Sequence, residues 1–248
     1  VTEQVYDPER PGQPGSGEKR PDDMRQLPLP FGHKRRFDEA GFVSGRSNAA
    51  ARTWLFATDA EKNWSENRLA LWGGQGRGKT HLLQVWGQRN DAMIVDAAQG
   101  LPDIATLLER TPRALALDAL PEQGLDELAL LRIINTSRER RMPLLMVARM
   151  PPSLWTVTLP DLCSRLRATM TVEVGPAEDV LLYRLMLRLL AERQLVVPRQ
   201  ITDWLLQRLP REASVIEDAV SRIDAVTLAS GQPFDLRAAT RLLADLSE

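Results

Sequence analysis

The sequence lacks most of what would tie a chain to a membrane, a metal or an oxidising compartment. It has one cysteine, Cys163, and two histidines among 248 residues. A single thiol forms no internal disulfide, and one cysteine with two histidines makes no metal set. This suits a reducing cytosol, so a cytoplasmic location is expected. No apolar run approaches the roughly 18 residues that span a bilayer. The first residues, VTEQVYDPERPG, lack the apolar centre of a signal peptide. No membrane partner is expected. The chain also lacks an excess of either charge: its formal net charge is −1. That gives no general electrostatic reason to bind nucleic acid or anionic lipid, and no sequence-specific DNA binding is expected.

The composition is otherwise that of a globular protein, 43% apolar and 26% charged. Residues 1–30 hold six of the 17 prolines and almost no apolar period. Residues 1–36 are therefore expected to be a disordered tail. A helix is expected over 46–60. Short apolar runs follow at 68–72, 92–96, 114–118, 143–147 and 169–174. They alternate with helical patterns at 79–89, 103–110, 125–139 and 161–166. Strands alternating with helices predict an α/β domain over 37–175, built on a five-stranded parallel sheet covered on both faces. After Gly175 the strands stop. Helices are expected at 177–193, 198–209, 211–229 and 235–246, forming a small all-α lid over 176–248. Asp235 is the expected N-cap of the last helix.

The sharpest motif is Gly73-Gly74-Gln75-Gly76-Arg77-Gly78-Lys79-Thr80, which fits G-x-x-x-x-G-K-[ST]. It follows an apolar strand and opens a helix, the context the motif requires. Its glycines let backbone N–H groups converge on phosphate oxygens, and the helix N-terminus adds its dipole. Lys79 is placed to reach the outer phosphates of ADP or ATP, and Thr80 to hold Mg²⁺. His81 and Asp118 complete the expected set. Asp118, in ALALD, stands where a second Mg²⁺ ligand belongs. The residue after it is Ala119, whose methyl cannot polarise water. Glu122 lies beyond a proline and is not counted on for that role. Weak or no intrinsic hydrolysis is expected.

WGGQGRGKTHLLQVWG resembles the phosphate-loop region of the bacterial replication initiator DnaA. With RLALW before it and ALALD after it, the chain resembles the DnaA-related AAA+ family over about residues 26–246. In FDEAGFVSGRSNAAAR, Phe37, Phe42, Val43, Gly45 and Asn48 match the segment that lies against adenine in that family, which adds Val43 to the expected nucleotide contacts. LPDLCSRLR resembles the arginine-finger segment and implies a finger at Arg165, acting in trans. LPREASVIEDAV resembles the sensor 2 helix and implies a phosphate contact by Arg211. The sensor 1 segment departs from the family's T-G-D-R-P-P, with Arg149 at the aspartate position.

The layout is similar to that of the short, Hda-type members, which have a sliding-clamp motif directly ahead of the AAA+ module. Their motif, QL-x-LP-[LF], is matched by Gln26, Leu27, Leu29, Pro30 and Phe31. A proline-stiffened peptide has little freedom left to lose on docking. The resemblance implies three partners: the DNA polymerase III sliding clamp (beta subunit), DnaA, and a second copy of the chain. It implies a regulator that stimulates hydrolysis of DnaA-bound ATP. A clamp-tethered adaptor or loader without that effect is the alternative.

Overall fold

The computed structural model describes residues 42–58 and 60–246. The expected docking peptide at 26–31 and the matched Phe37 lie outside them. Strands β1 (Arg68–Trp72), β2 (Ala92–Asp96), β3 (Ala114–Asp118), β4 (Leu144–Ala148) and β5 (Met170–Glu173) form one parallel sheet in the order β2-β3-β4-β1-β5.

The central strands β3, β4 and β1 are apolar between their end residues because both faces are covered, whereas the edge strand β5 exposes Thr171 and Glu173. Leu69, Leu71, Leu145, Val147, Ala114 and Ala116 pack in one core with α1 (Ala49–Phe56) and α2 (Lys79–Arg89). Ala70, Leu115, Leu117, Leu144 and Met146 turn to the other face. There they meet α3 (Ile104–Arg110), α4 (Glu127–Glu139) and α5 (Pro160–Arg167). The pairing Leu69↔Leu145 and Leu71↔Val147 keeps like faces together. A one-residue slip would reverse every side chain. Fully burying one leucine contributes about 1.5–3 kcal/mol, so the register is strongly fixed.

Helices α6 (Asp179–Glu192), α7 (Arg199–Leu206), α8 (Ala213–Ser230) and α9 (Leu236–Leu246) share a third core around Met186, Leu205, Ile216 and Val220. Asp235 caps α9, its Oδ1 accepting from the Ala238 N–H at 2.8 Å.

The first helix is shorter than the 46–60 expected. Asn48 Oδ1 accepts from Gly45 N at 3.1 Å and its Nδ2 donates to Val43 O at 3.0 Å. These bonds hold Arg46–Asn48 as a tight 3-10 turn instead of a first α turn. At the other end Ala57 turns to extended backbone and stops the helix.

The same segment ties the sheet to the lid. Glu178, ahead of α6, accepts from the backbone N–H groups of Arg46 and Ser47. The Gly175 N–H donates to Ser47 O at 2.9 Å. Burial works against the Glu178 charge, but its own N–H, the Ser47 hydroxyl and those two N–H groups outweigh it and lower its pKa to about 2.

Candidate functional site

The C-terminal ends of β1, β3 and β4 lie side by side, the edge where open α/β sheets take ligands. A cavity of about 620 Å³ opens there. Gln75 to His81 line it from the glycine loop, Asp118 to Glu122 from the end of β3, and Val147 to Arg149 from the end of β4; Ala98 adds to the wall. Ala213, Ser214 and Glu217 close it from α8.

The loop needs its glycines. Gly76 has φ 70°, and a Cβ there would sit 2.8 Å from Glu212 Oε2 and 3.1 Å from Ser214 Oγ. The Ala213 N–H donates to Gly76 O at 3.1 Å, so α8 is docked directly on the loop. Gly73 has φ 149°, and its Cβ would meet Val174 O at 2.4 Å.

Lys79 Nζ donates to Gly73 O and Gly74 O, both at 2.7 Å. Burial pushes its pKa down; Asp118 opposes this, and Arg77 and Arg149 add to it. The ammonium is half-buried, with Asp118 and two guanidiniums near it, and an incoming anion would relieve its burial. Arg77 is tied to the end of β5, donating to Val174 O at 3.2 Å and Glu173 Oε1 at 3.3 Å. Asp118 makes no ion pair among the described residues; its Oδ1 accepts from the Ala119 N–H at 2.9 Å. A hydroxyl, Thr80, and a carboxylate, Asp118, thus line one anion-seeking cavity. That donor set fits a hard divalent cation such as Mg²⁺, which takes few protein ligands and leaves the rest to phosphate and water.

Two expected contacts are not brought to this cavity. Arg211 lies on the exposed surface of the lid, where its guanidinium pairs with Asp179 at 3.3 Å. α8 begins two residues later, and Glu212, Ala213 and Ser214 are the residues that stand against the loop there. Val43 packs against the lid core and does not line the cavity. Its neighbour Phe42 stands edge-on to the His81 ring, with centroids 5.2 Å apart. Glu122 and Arg149, not counted among the site residues from sequence, both line the cavity. The departure of Arg149 from the family pattern was the one signal that could have singled it out.

Arg165 lies at the opposite end of the sheet. Its carbonyl accepts from Arg68, the first residue of β1, at 3.2 Å and from Thr169, just ahead of β5, at 2.9 Å. A strand's length, roughly 13–17 Å, separates it from the cavity. Its side chain is 20% exposed, with Nε 3.3 Å from Asp161 Oδ1. The N–H does not point at that oxygen, and the buried Nε has no hydrogen-bond partner. At the start of α5, the Glu127 carboxylate accepts from Thr158 N at 2.9 Å and Leu159 N at 2.8 Å. Helix α5 is thus anchored at both ends.

The whole chain can be set beside known proteins. No protein-family model matches it. It is 25% identical over 233 residues to the chromosomal replication initiator protein DnaA of Chloroflexus aggregans, an alignment covering 85% of this chain and 48% of that protein. Domain III of Thermotoga maritima DnaA superimposes with a TM-score of 0.71 at 18% identity, covering 84% of this chain and 96% of that one. The chain is similar to DnaA over most of its length. DnaA of Aquifex aeolicus, solved with AMPPCP, superimposes with a TM-score of 0.60 at 18% identity, covering 77% of this chain and 64% of that one. The chain spans about half the length of the curated relatives it matches. Its sheet order and following helices are those of an AAA+ module. Among the described residues no helix is long and apolar enough to cross a membrane.

Proposed function

We propose that this chain binds an adenine nucleotide and regulates replication initiation by completing the ATP site of a bound DnaA molecule. The single observation that carries this reading is the opposition of two features on one DnaA-like module. The phosphate-seeking cavity is at one end of the sheet, and Arg165 is at the other. A guanidinium so far from its own cavity can meet a triphosphate only on another molecule. Supplied in trans, such an arginine accelerates phosphoryl transfer by about 10³–10⁵.

In this reading Lys79 and the loop amides hold the chain's own ADP or ATP. Thr80 and Asp118 hold Mg²⁺, which would neutralise phosphate charge there. Glu212, Ala213 and Ser214 are the lid residues that stand against the loop. That the Aquifex aeolicus relative was solved with AMPPCP supports nucleotide binding by this chain. The docking peptide Gln26-Leu27-Pro28-Leu29-Pro30-Phe31 would tether the chain to the sliding clamp; its support is the sequence itself.

The test is a reconstituted assay of DnaA-bound ATP with DNA-loaded clamp. The wild-type chain should accelerate hydrolysis. Arg165→Ala should lower that stimulation about 10³-fold or more while clamp binding persists. Full stimulation by Arg165→Ala would remove the finger assignment. Clamp and DnaA binding without any stimulation by wild type would leave an adaptor.

A further inference from the structure

Two features at the N-terminal ends of the strands are more than a stable sheet requires. The first is a buried charge. Arg68 opens β1 and is 1% exposed, at a register where its partner on β4 is Leu144. An apolar residue there would bury no charge, and exchanging a buried ion pair for packed apolar groups is often neutral or stabilising. The second is a strained turn. Glu66 and Asn67 stand in succession in the left-handed region, with φ 49° and φ 57°. Asparagine tolerates that conformation, but a glutamate is disfavoured in it. Strain of this kind persists only where the surroundings hold it, and it gathers at functional sites.

Both features converge on the last turn of α5. Arg68 Nη1 donates to the Glu66 carboxylate. Its Nε donates to Thr169 Oγ1 at 2.9 Å, and its Nη2 to the Arg165 carbonyl at 3.2 Å. The Thr169 hydroxyl donates to that same carbonyl at 2.9 Å. One guanidinium thus joins the turn before β1, the end of α5 and the residue that leads into β5. Fixing the Arg165 carbonyl fixes the point at which its side chain leaves the helix. Glu66 bears on the other end of that side chain. The hydrogen bond from Arg68 holds its carboxyl below the usual range against burial, and the charges of Arg68, Arg138 and Arg165 add to this. The Arg165 cation therefore stands within the field of a carboxylate that Arg68 holds in place.

We propose that Arg68, locked by Thr169 and Glu66, is a positioning residue that sets the Arg165 guanidinium where the triphosphate of a partner molecule would meet it. This rests on the reading of Arg165 as a finger acting in trans. Arg68 itself touches no nucleotide, and its effect passes through the Arg165 carbonyl. A catalytic group misplaced by about 1 Å can lose about 10²-fold in rate, so the finger must be held in place before the partner arrives.

The experiment compares Thr169→Val, which keeps the shape and removes the hydroxyl between Arg68 and Arg165, with Thr169→Ser, which keeps the hydroxyl. Each full chain is titrated into DnaA-bound ATP with DNA-loaded clamp, giving a maximal hydrolysis rate and a half-maximal concentration. Solvent exchange of the Arg165 Nε–H is followed by NMR on the free chain, its resonance assigned by its loss in Arg165→Ala. Thr169→Val should lower the maximal rate about 10- to 100-fold at an unchanged half-maximal concentration. It should also speed exchange of the buried Nε–H. Thr169→Ser should keep most of both wild-type values. Glu66→Gln keeps an acceptor for Arg68 and loses the charge; it should move both readouts the same way, and it decides the matter if Thr169→Val does not fold. Wild-type maximal rates in Thr169→Val and Glu66→Gln would overturn the proposal. So would unchanged exchange in both, or a rise in half-maximal concentration that accounts for the whole loss. Full stimulation by Arg165→Ala, or none by wild type, would instead remove the finger reading, whatever the exchange rates show.

Discussion

At the N-terminal ends of the strands Arg68 is 1% exposed, and each guanidinium nitrogen has a partner: Thr169 Oγ1, the Arg165 carbonyl and the Glu66 carboxylate. At the C-terminal ends Arg149 is exposed and has no ion pair among the described residues. The same residue type does opposite things at the two ends. Arg68 is a cross-link. Its hydrogen bond to Glu66, with the charges of Arg68, Arg138 and Arg165, holds that carboxyl below the usual range against the effect of burial. It also pins the C-terminal turn of α5, and so the backbone of Arg165. Arg149 cross-links nothing and stands beside another cation. Charges satisfied within the fold build the scaffold. Charges left open to solvent around a cavity stay free to meet an anion that enters it.

That contrast can be broken by substitution. Arg68→Ala should cost about 3–5 kcal/mol in urea unfolding, because the groups it served are left buried and unpaired. Arg149→Ala should stay within about 0.5 kcal/mol in the same assay. Equal costs would erase the distinction. At the cavity end, Lys79→Ala should weaken AMPPCP binding about 10- to 100-fold, the worth of a charge-assisted contact to phosphate. The melting temperature without nucleotide should barely move. Glu178 gives the smallest and most graded effect. Its folded pKa of about 2 lies below the ordinary 4.5. The stability it contributes is therefore present above about pH 4.5 and lost as pH falls from there toward 2. Glu178→Gln should flatten the acid limb of stability against pH in that window. An unchanged limb would mean that the link between the Arg46–Asn48 turn and α6 carries no net stability.

Much of the fold was legible before any coordinates. RLALW, AMIVD and ALALD read as strands over 68–72, 92–96 and 114–118, the bounds the structure has. Short apolar runs between glycine, proline and charge leave a strand little room to shift. The glycine loop and Asp118 were equally plain, because their chemistry is local: backbone conformation, a helix start, a strand end. Helix starts were less legible. The stretch RSN looks helical, yet Asn48 satisfies Gly45 and Val43 and delays α1 to Ala49. Nothing in the stretch DALPEQ says that Ala119 will turn left-handed and return Glu122 to the cavity. LPREAS does not say that Glu212, Ala213 and Ser214 will stand against the loop while Arg211 pairs with Asp179.

The sequence by itself determined the parallel α/β class, the phosphate loop, the likeness of the motifs to those of DnaA and the helical character of the lid, since each rests on neighbours along the chain. Only the tertiary structure decided which charged groups share a space. Lys79, Asp118, Glu122 and Arg149 come from three strand ends that meet only because the order is β3-β4-β1. Arg165 is kept from them because parallel strands carry their beginnings and their ends to opposite edges.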